Sequence, residues 1–515
     1  DALGAVGGEQ GAQADTDDSS ATDDTSATDQ ASVDPSATTG SSDGSSGAVD
    51  GSGTTGTTAV PDGWVDLSVL VDAAPSVQQA AEIAEDLRAA LAPIDAGSLV
   101  GPLASPVAQA QALLDAGTLS TVRELAAVLP ELLGADGPRT YLLLSLNSAE
   151  LRAQGGIVGA VAVLQVRDGA VGLVGQSSTA DLTERDSSVL PLTDEELALY
   201  TDRLGRWVQD TVMTPDFPRA AELASAFWTD ATGQSVDGVL AVDPVVVADL
   251  LAATGRGIEV DGEQLDAGTL LSTLLRDTYL EHGDPRDGDA FYAQVAAAVF
   301  ALVGDAADDP ATARAAAGAV LDAVGERRVH AWSAHADEQA ALAGSPLGGA
   351  FLTDGSAATA ASVGVFLDDG TAGKLDYDLT ATVTVTMAGC DTSSPTATIT
   401  VDLVYDPPDD VADLPAQVVG DGSSGLPTGW LATNLSVYSA RGSAAPEVRR
   451  DGLVVGGLTG TAAERSVAVL ASQLAPGEQE TWTVTVAAPD GALTVWTTPT
   501  LTGPGSVSAS CDAGR

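Results

Sequence analysis

Residues 141–174 read YLLLSLNSAELRAQGGIVGAVAVLQVRDGAVGLV, and three patterns meet in them. YLLLSL is a short, continuous apolar run of the kind that suits a strand buried on both faces. Residues 157–166 and 170–174 are two more apolar runs joined by Arg167, Asp168 and Gly169. The Asp-Gly pair at that junction predicts a hairpin turn. Between the first strand and the hairpin lies the loop NSAELRAQGG, where Asn147, Glu150 and Arg152 precede Gly155 and Gly156. Downstream, helical segments over 195–208 and 218–231 lead to a strand over 236–242, a helix over 244–253 and the short strand GIEV. Alternation of this kind predicts an α/β layered domain, assigned to residues 136–345.

From Lys374 the period changes to two. Leu375, Tyr377, Leu379, Ala381, Val383, Val385 and Met387 alternate with polar residues, and 399–405 and 482–486 repeat the pattern. Half-buried antiparallel strands with Pro- and Gly-rich turns predict an all-β immunoglobulin-like sandwich over 346–515. On the other side, residues 63–135 read as a helical hairpin or bundle. Ile83, Leu87 and Leu91 recur every four positions, with Glu82, Glu85, Asp86 and Arg88 opposite them, so the large apolar residues are expected to face inward. A second helix carries Val122, Leu125 and Leu129. Residues 1–62 are mainly Asp, Ser, Thr, Gly and Ala with no Lys or Arg, a composition that predicts a disordered, acidic spacer.

A chain of 515 residues has room for roughly three folded units at about 150 residues each. Its 21 basic and 73 acidic side chains leave a net charge of −52, which excludes sequence-general binding to nucleic acid. Hydrophobic residues make up 44% and aromatic ones only 4%, so the cores are built mainly from Ala, Val and Leu. Three His, two Cys and the single Lys374 argue against a Cys/His zinc site, a CxxC pair or a lysine Schiff base. Cys390 and Cys511 both fall in the β-rich third. The pair predicts a disulfide closing a loop of about 120 residues in an oxidising compartment, two separate thiols being the alternative. The longest apolar stretches, 236–253 and 292–303, are broken by Asp or Gln, so a membrane-spanning segment is expected upstream of Asp1.

Ligands bind where strands of α/β sheets end, which makes the 147–156 loop the first candidate site. Paired glycines admit close approach of an anion, and Arg152 offers a planar fork for phosphate or carboxylate. The alternative is that Glu150 and Arg152 merely close the loop as an ion pair. Residues 279–291, YLEHGDPRDGDAF, gather His282, Asp284, Arg286, Asp287 and Asp289 in a polar turn, either a divalent-cation site or a solvated loop. His330 and His335 flank Trp332 on an expected helix and are assigned to packing. GSSDG at 40–44 and GDGSSG at 420–425 match nucleophile-elbow and dinucleotide patterns without the strand and helix those need. LPTG at 426–429 reads as a turn.

The loop, together with LLGADGPRTYLLL before it, VDGVLAVDPVVVADLLAATG, residues 279–291 and GKLDY at 373–377, resembles a family of bacterial envelope proteins common in actinobacteria and known as a domain of unknown function. Order and spacing agree over roughly residues 80–500. The resemblance implies an N-terminal membrane helix upstream and a position outside the cytoplasmic membrane. A more remote resemblance is to the LytR-CpsA-Psr transferases, which move glycopolymers from polyprenyl-pyrophosphate carriers to peptidoglycan. It implies that Asn147, Glu150, Arg152, Gly155, Gly156 and Arg286 bind a pyrophosphate. Asp181, Asp284, Asp287 and Asp289 would hold Mg2+ or another divalent cation. An Asp normally follows the first Arg in those enzymes, and a Pro-Arg-Asp turn follows the hairpin. Here the glycine pair and SSTADL at 177–182 stand instead. Two functions are therefore expected: binding or transfer of polyprenyl-phosphate-linked glycopolymers, or a non-catalytic surface scaffold or adhesion protein with a degenerate site.

Overall fold

The computed structural model describes residues 63–511 apart from 115, 183, 282–284, 308 and 354–356. The acidic stretch 1–62 lies outside the described residues, as does GSSDG. The first sheet joins β1 (Val65–Asp66), β2 (Arg139–Asn147), β3 (Ile157–Arg167), β4 (Ala170–Ser178), β5 (Gly238–Val242) and, after the small ribbon β6 (Ile258–Val260) and β7 (Glu263–Leu265), β8 (Val329–Ser333). Their order is β1-β4-β3-β2-β5-β8, with only β2 and β5 parallel. Asp168 and Gly169 both take positive φ, 50° and 81°, as the tight turn between β3 and β4 requires. Because β2 is central, its side chains are buried on both faces: Leu142, Leu144 and Leu146 join one apolar cluster and Tyr141 another.

Helices cover both faces of this sheet. In chain order they are α1 (Ser68–Leu91), α2 (Gly101–Leu113), α3 (Ala116–Leu132), α4 (Asp194–Tyr200), α5 (Arg203–Arg206), α6 (Phe217–Thr232), α7 (Pro244–Thr254), the single turns α8 (Leu270–Ser272) and α9 (Thr278–Glu281), α10 (Pro285–Ala307), α11 (Pro310–Gly325) and α12 (Ala336–Ala343). Phe217 and Phe227 of α6 pack on one face, and Phe300 of α10 on the other. The expected helix over 195–208 is broken, because Thr201 turns the chain at φ 59° between α4 and α5. Residues around Trp332 form strand β8, not a helix; His330 is buried and stacked on Phe217, and its burial holds the ring neutral with a pKa of about 3. Residues 290–307 of α10 are, by length and composition, apolar enough to cross a membrane, which the broken run 292–303 does not suggest. In the fold this helix packs Phe291, Val295 and Leu302 into a core cluster.

The helical segment inverts its expected polarity. Ala74 and Ala81 are the buried residues of α1, which packs on α3, and Glu85 pairs with Arg123 at 2.9 Å. Small side chains allow the close approach, so Ile83 and Leu87 are left pointing outward.

Two further sheets follow. One contains β10 (Leu379–Ala388), β11 (Thr396–Tyr405), β17 (Gln479–Ala487), β13 (Val448–Arg450) and β14 (Leu453–Val455) in that order. The other runs β15 (Leu458–Ala462), β16 (Arg465–Leu474), β12 (Leu431–Tyr438), β9 (Val363–Asp369), β18 (Ala492–Thr497) and β19 (Ser506–Ser510). Their inner faces share one core, with Ile399, Val401, Trp482 and Val484 from the first sheet and Val365, Leu367, Leu435 and Val495 from the second. The strand expected from Leu375 starts at Leu379, because residues 375–378 form a turn that sends Asp376 inward. Cys390 and Cys511 are joined in a disulfide that ties the turn after β10 to the end of β19. Replacing both by serine is expected to cost about 2 kcal/mol, the low end of the usual range, since β19 is already held by pairing with β18. Urea denaturation of the oxidised chain and of the double variant measures it, and intact mass with and without reduction counts the thiols.

Candidate functional site

The 147–156 loop leaves the end of β2 and folds back on itself before β3 starts. Asn147 Oδ1 accepts from Ala149 N, Asn147 O accepts from Glu150 N, and Glu150 O accepts from Ile157 N. This closure brings two backbone segments together at Gly156. A Cβ there would lie 2.4 Å from the Asn147 carbonyl, and one on Gly155, whose φ is +111°, would lie 2.9 Å from Pro499 Cγ. The glycines permit close backbone approach, but what approaches is this chain's own backbone and Pro499. Gly156→Ala is expected to destabilise by about 2 kcal/mol or more, readable as a lower denaturation midpoint.

Leu151, one residue before the arginine, is buried in the core shared by the two C-terminal sheets. Its N–H donates to Asp376 Oδ2 at 2.8 Å and its carbonyl accepts from Asp369 N at 2.8 Å. Ala153 N donates to Asp368 Oδ1 at 3.2 Å, and Gln154 Nε2 to Thr214 O at 3.0 Å. The loop therefore plugs the first sheet into the β-rich region.

Arg152 does not face an open cleft. It is 5% exposed, and its Nε and Nη2 donate to Asp210 Oδ1 at 3.1 and 2.9 Å. Nη1 donates to Leu151 O and Asp369 O. Asp210 Oδ2 is in turn gripped by Arg203, so one carboxylate bridges two guanidiniums. Burial by itself would lower the pKa of Arg152, but Asp210, Asp369 and Asp368 outweigh it and hold it above the ordinary arginine value. Glu150 is not the partner of Arg152. It pairs with Lys374 at 2.8 Å, and that ammonium lies 4.4 Å from the ring centre of Tyr279, whose hydroxyl accepts from Asn147 Nδ2.

Three more carboxyls surround this junction, and the motifs of the loop point to none of them. Burial pushes Asp368 up to about 7 and Asp369 up to about 6, each against the opposing pull of Arg152. Burial, then repulsion from Asp369, raises Asp376 well above the carboxylate range, and its Oδ1 meets no partner among the described residues. A neutral Asp376 fits both facts. The sequence does carry a signal for two of them: VGVFLDD at 363–369 has two acids on an otherwise apolar strand, a placement that demands partners.

Of the expected metal ligands, Asp181 is exposed and accepts from Ser177 Oγ and Ser178 N, closing a turn after β4. Asp284 lies outside the described residues, as do the side chains of His282, Arg286, Asp287 and Asp289. Among the described residues no three His, Cys, Asp or Glu side chains converge as a metal ion requires. The cavity that stands out lies elsewhere: a groove of about 870 Å³ between the start of α1 and α10, lined by Trp64, Leu173 and Phe300 together with Asp66, Ser68 and Asp305.

Residues 136–279 match the family described as protein of unknown function (DUF4012), which spans β2 to α9 and includes the whole loop. No curated protein matches the chain. Parts of solved structures are similar. A LytR-Csp2A-Psr enzyme from Actinomyces oris shares 17% identity over 39% of this chain and 72% of its own, with a TM-score of 0.24. TagV from Bacillus subtilis shares 12% over 38% and 73%, with a TM-score of 0.23. Protein gbs0355 from Streptococcus agalactiae shares 13% over 44% and 83%, with a TM-score of 0.28. Likenesses this partial say nothing about activity.

Proposed function

We propose that this protein is a non-catalytic scaffold of the cell envelope, held outside the cytoplasmic membrane by a segment upstream of Asp1. The observation that carries this reading is the internal use of the 147–156 loop. Its arginine is held by Asp210, Gly155 abuts Pro499 and Gly156 the Asn147 backbone, and the N–H groups of Leu151 and Ala153 donate to Asp376 and Asp368, all within the same chain. A loop spent in this way locks two folded regions into one rigid frame, and phosphate would have to displace that packing to reach Arg152. The disulfide supports an oxidising, extracytoplasmic setting. The C-terminal pair of sheets, read as an immunoglobulin-like sandwich, serves as a spacer that presents the frame.

One observation favours a second reading, in which the protein binds a polyprenyl-linked glycan precursor. The groove beside β4 is large, and Trp64, Leu173 and Phe300 on its wall offer apolar surface to an isoprenoid chain beside the polar Asp66, Ser68 and Asp305. Thermal unfolding with a water-soluble prenyl pyrophosphate, with and without Mg2+, separates the two. The scaffold reading expects no shift in Tm. A ligand at 100 times its Kd adds about 2.7 kcal/mol, so a rise of several degrees would establish the second reading instead.

A further inference from the structure

Along α1, Val69, Ala73, Ser76, Ala80, Ile83, Leu87 and Ala90 recur at alternating spacings of four and three. That is the spacing of a coiled-coil seam, and the small residues Ala73, Ser76 and Ala80 between Val69 and the pair Ile83 and Leu87 let a second helix approach closely. Among the described residues nothing covers it. Val69 is 67% exposed, Ile83 62% and Leu87 50%, while the opposite side of α1 is the one buried on α3 through Ala74 and Ala81. The seam is flanked by Leu70 and Val77 on one side, both exposed, and by Asp72, Gln79 and Asp86 on the other. At its lower end Val69 borders the groove beside β4.

Charge decides the occupant. In an antiparallel pairing of two copies, the Asp72 and Asp86 rows would face each other. In a parallel pairing each acidic row would face Leu70 and Val77, and in both the net charge of −52 on each chain adds repulsion. A helix carrying Lys or Arg opposite Asp72 and Asp86 meets neither cost. We propose that the outer face of α1 is the docking seam for an amphipathic helix of another protein, with apolar residues at heptad spacing and basic residues along the flank that meets Asp72 and Asp86. The seam can serve this role however the groove beside β4 is used.

The test uses the full chain and two labelled synthetic peptides of four heptads with Ala and Leu along the seam. One has Lys at the flanking positions and the other Glu. The Lys peptide should bind saturably, more weakly as salt rises, and at least tenfold more tightly than the Glu peptide. Ile83→Glu/Leu87→Glu should reduce that binding at least tenfold with Tm unchanged, since both residues are exposed. Asp72→Lys/Asp86→Lys should reverse the preference between the peptides. Failure of both peptides to bind, or binding that survives Ile83→Glu/Leu87→Glu, overturns the proposal. So does a dimer in sedimentation that this variant disperses, which would give the seam to a second copy. Association with neutral phosphatidylcholine vesicles that the variant abolishes would give the seam to a membrane and overturn the proposal in the same way.

Discussion

Arg152→Met should lower the stability of the chain by about 3–5 kcal/mol, because it leaves the buried Asp210 carboxylate with a single guanidinium, that of the half-exposed Arg203. The loss is larger than that of an ordinary ion pair. Four hydrogen bonds disappear at once, two of them to the carbonyls of Leu151 and Asp369, where the loop meets the β-rich region. Asp368 and Asp369 also lose the positive charge that opposes their burial. Urea denaturation near neutral pH measures the cost. Calorimetry should show the single transition of a locked frame separating into two as the first sheet and the C-terminal sheets uncouple. Arg152→Lys keeps the charge without the fork and should fall between the two. If Arg152→Met unfolds within about 1 kcal/mol of the wild type, the guanidinium is not holding the junction and the scaffold reading loses its main support.

The strands of this junction were legible in the sequence, whereas the partners of its loop were not. YLLLSL and the Asp-Gly hairpin announce themselves through local patterns, and β2, β3 and β4 lie where those patterns put them. The alternation from Leu379 to Met387 likewise marks β10, although the residues just before it bend away to bury Asp376. The 147–156 loop was recognisable as special from its glycines and its arginine. What its arginine faces depends on Asp210 and Asp369, 58 and 217 positions later, and no local pattern carries that distance. The outward face of α1 was hidden for a related reason. A periodic apolar stripe normally marks the inner side of a helix, but here the alanines on another side pack against α3 and leave the larger residues outside. The short strand β1 is not legible in the sequence because two residues carry no period at all.

The second large effect is a pH dependence of unusual sign. Asp368 titrates near 7 in the fold against an ordinary value of 3.8, so between those values the folded chain holds a proton that the unfolded chain has lost. Stability from this group is fully present below about pH 4, declines as pH rises through 7, and does not return above it. The span corresponds to about 4 kcal/mol at most for this carboxyl. Asp369, at about 6, acts in the same direction. The wild type alone cannot isolate the effect, since a chain with a net charge of −52 also repels itself less at low pH. Asp368→Asn removes the titration and keeps an oxygen to accept from Ala153 N. The variant should be the more stable by only about 1 kcal/mol near pH 4.5 and by up to about 4 kcal/mol near pH 8. Urea denaturation at pH 4.5, 6 and 8 gives the difference directly, and because the surface charge is common to both chains it cancels. A variant that tracks the wild type at every pH would mean that Asp368 is ionised throughout in the fold, with Arg152 strong enough to hold two carboxylates at once.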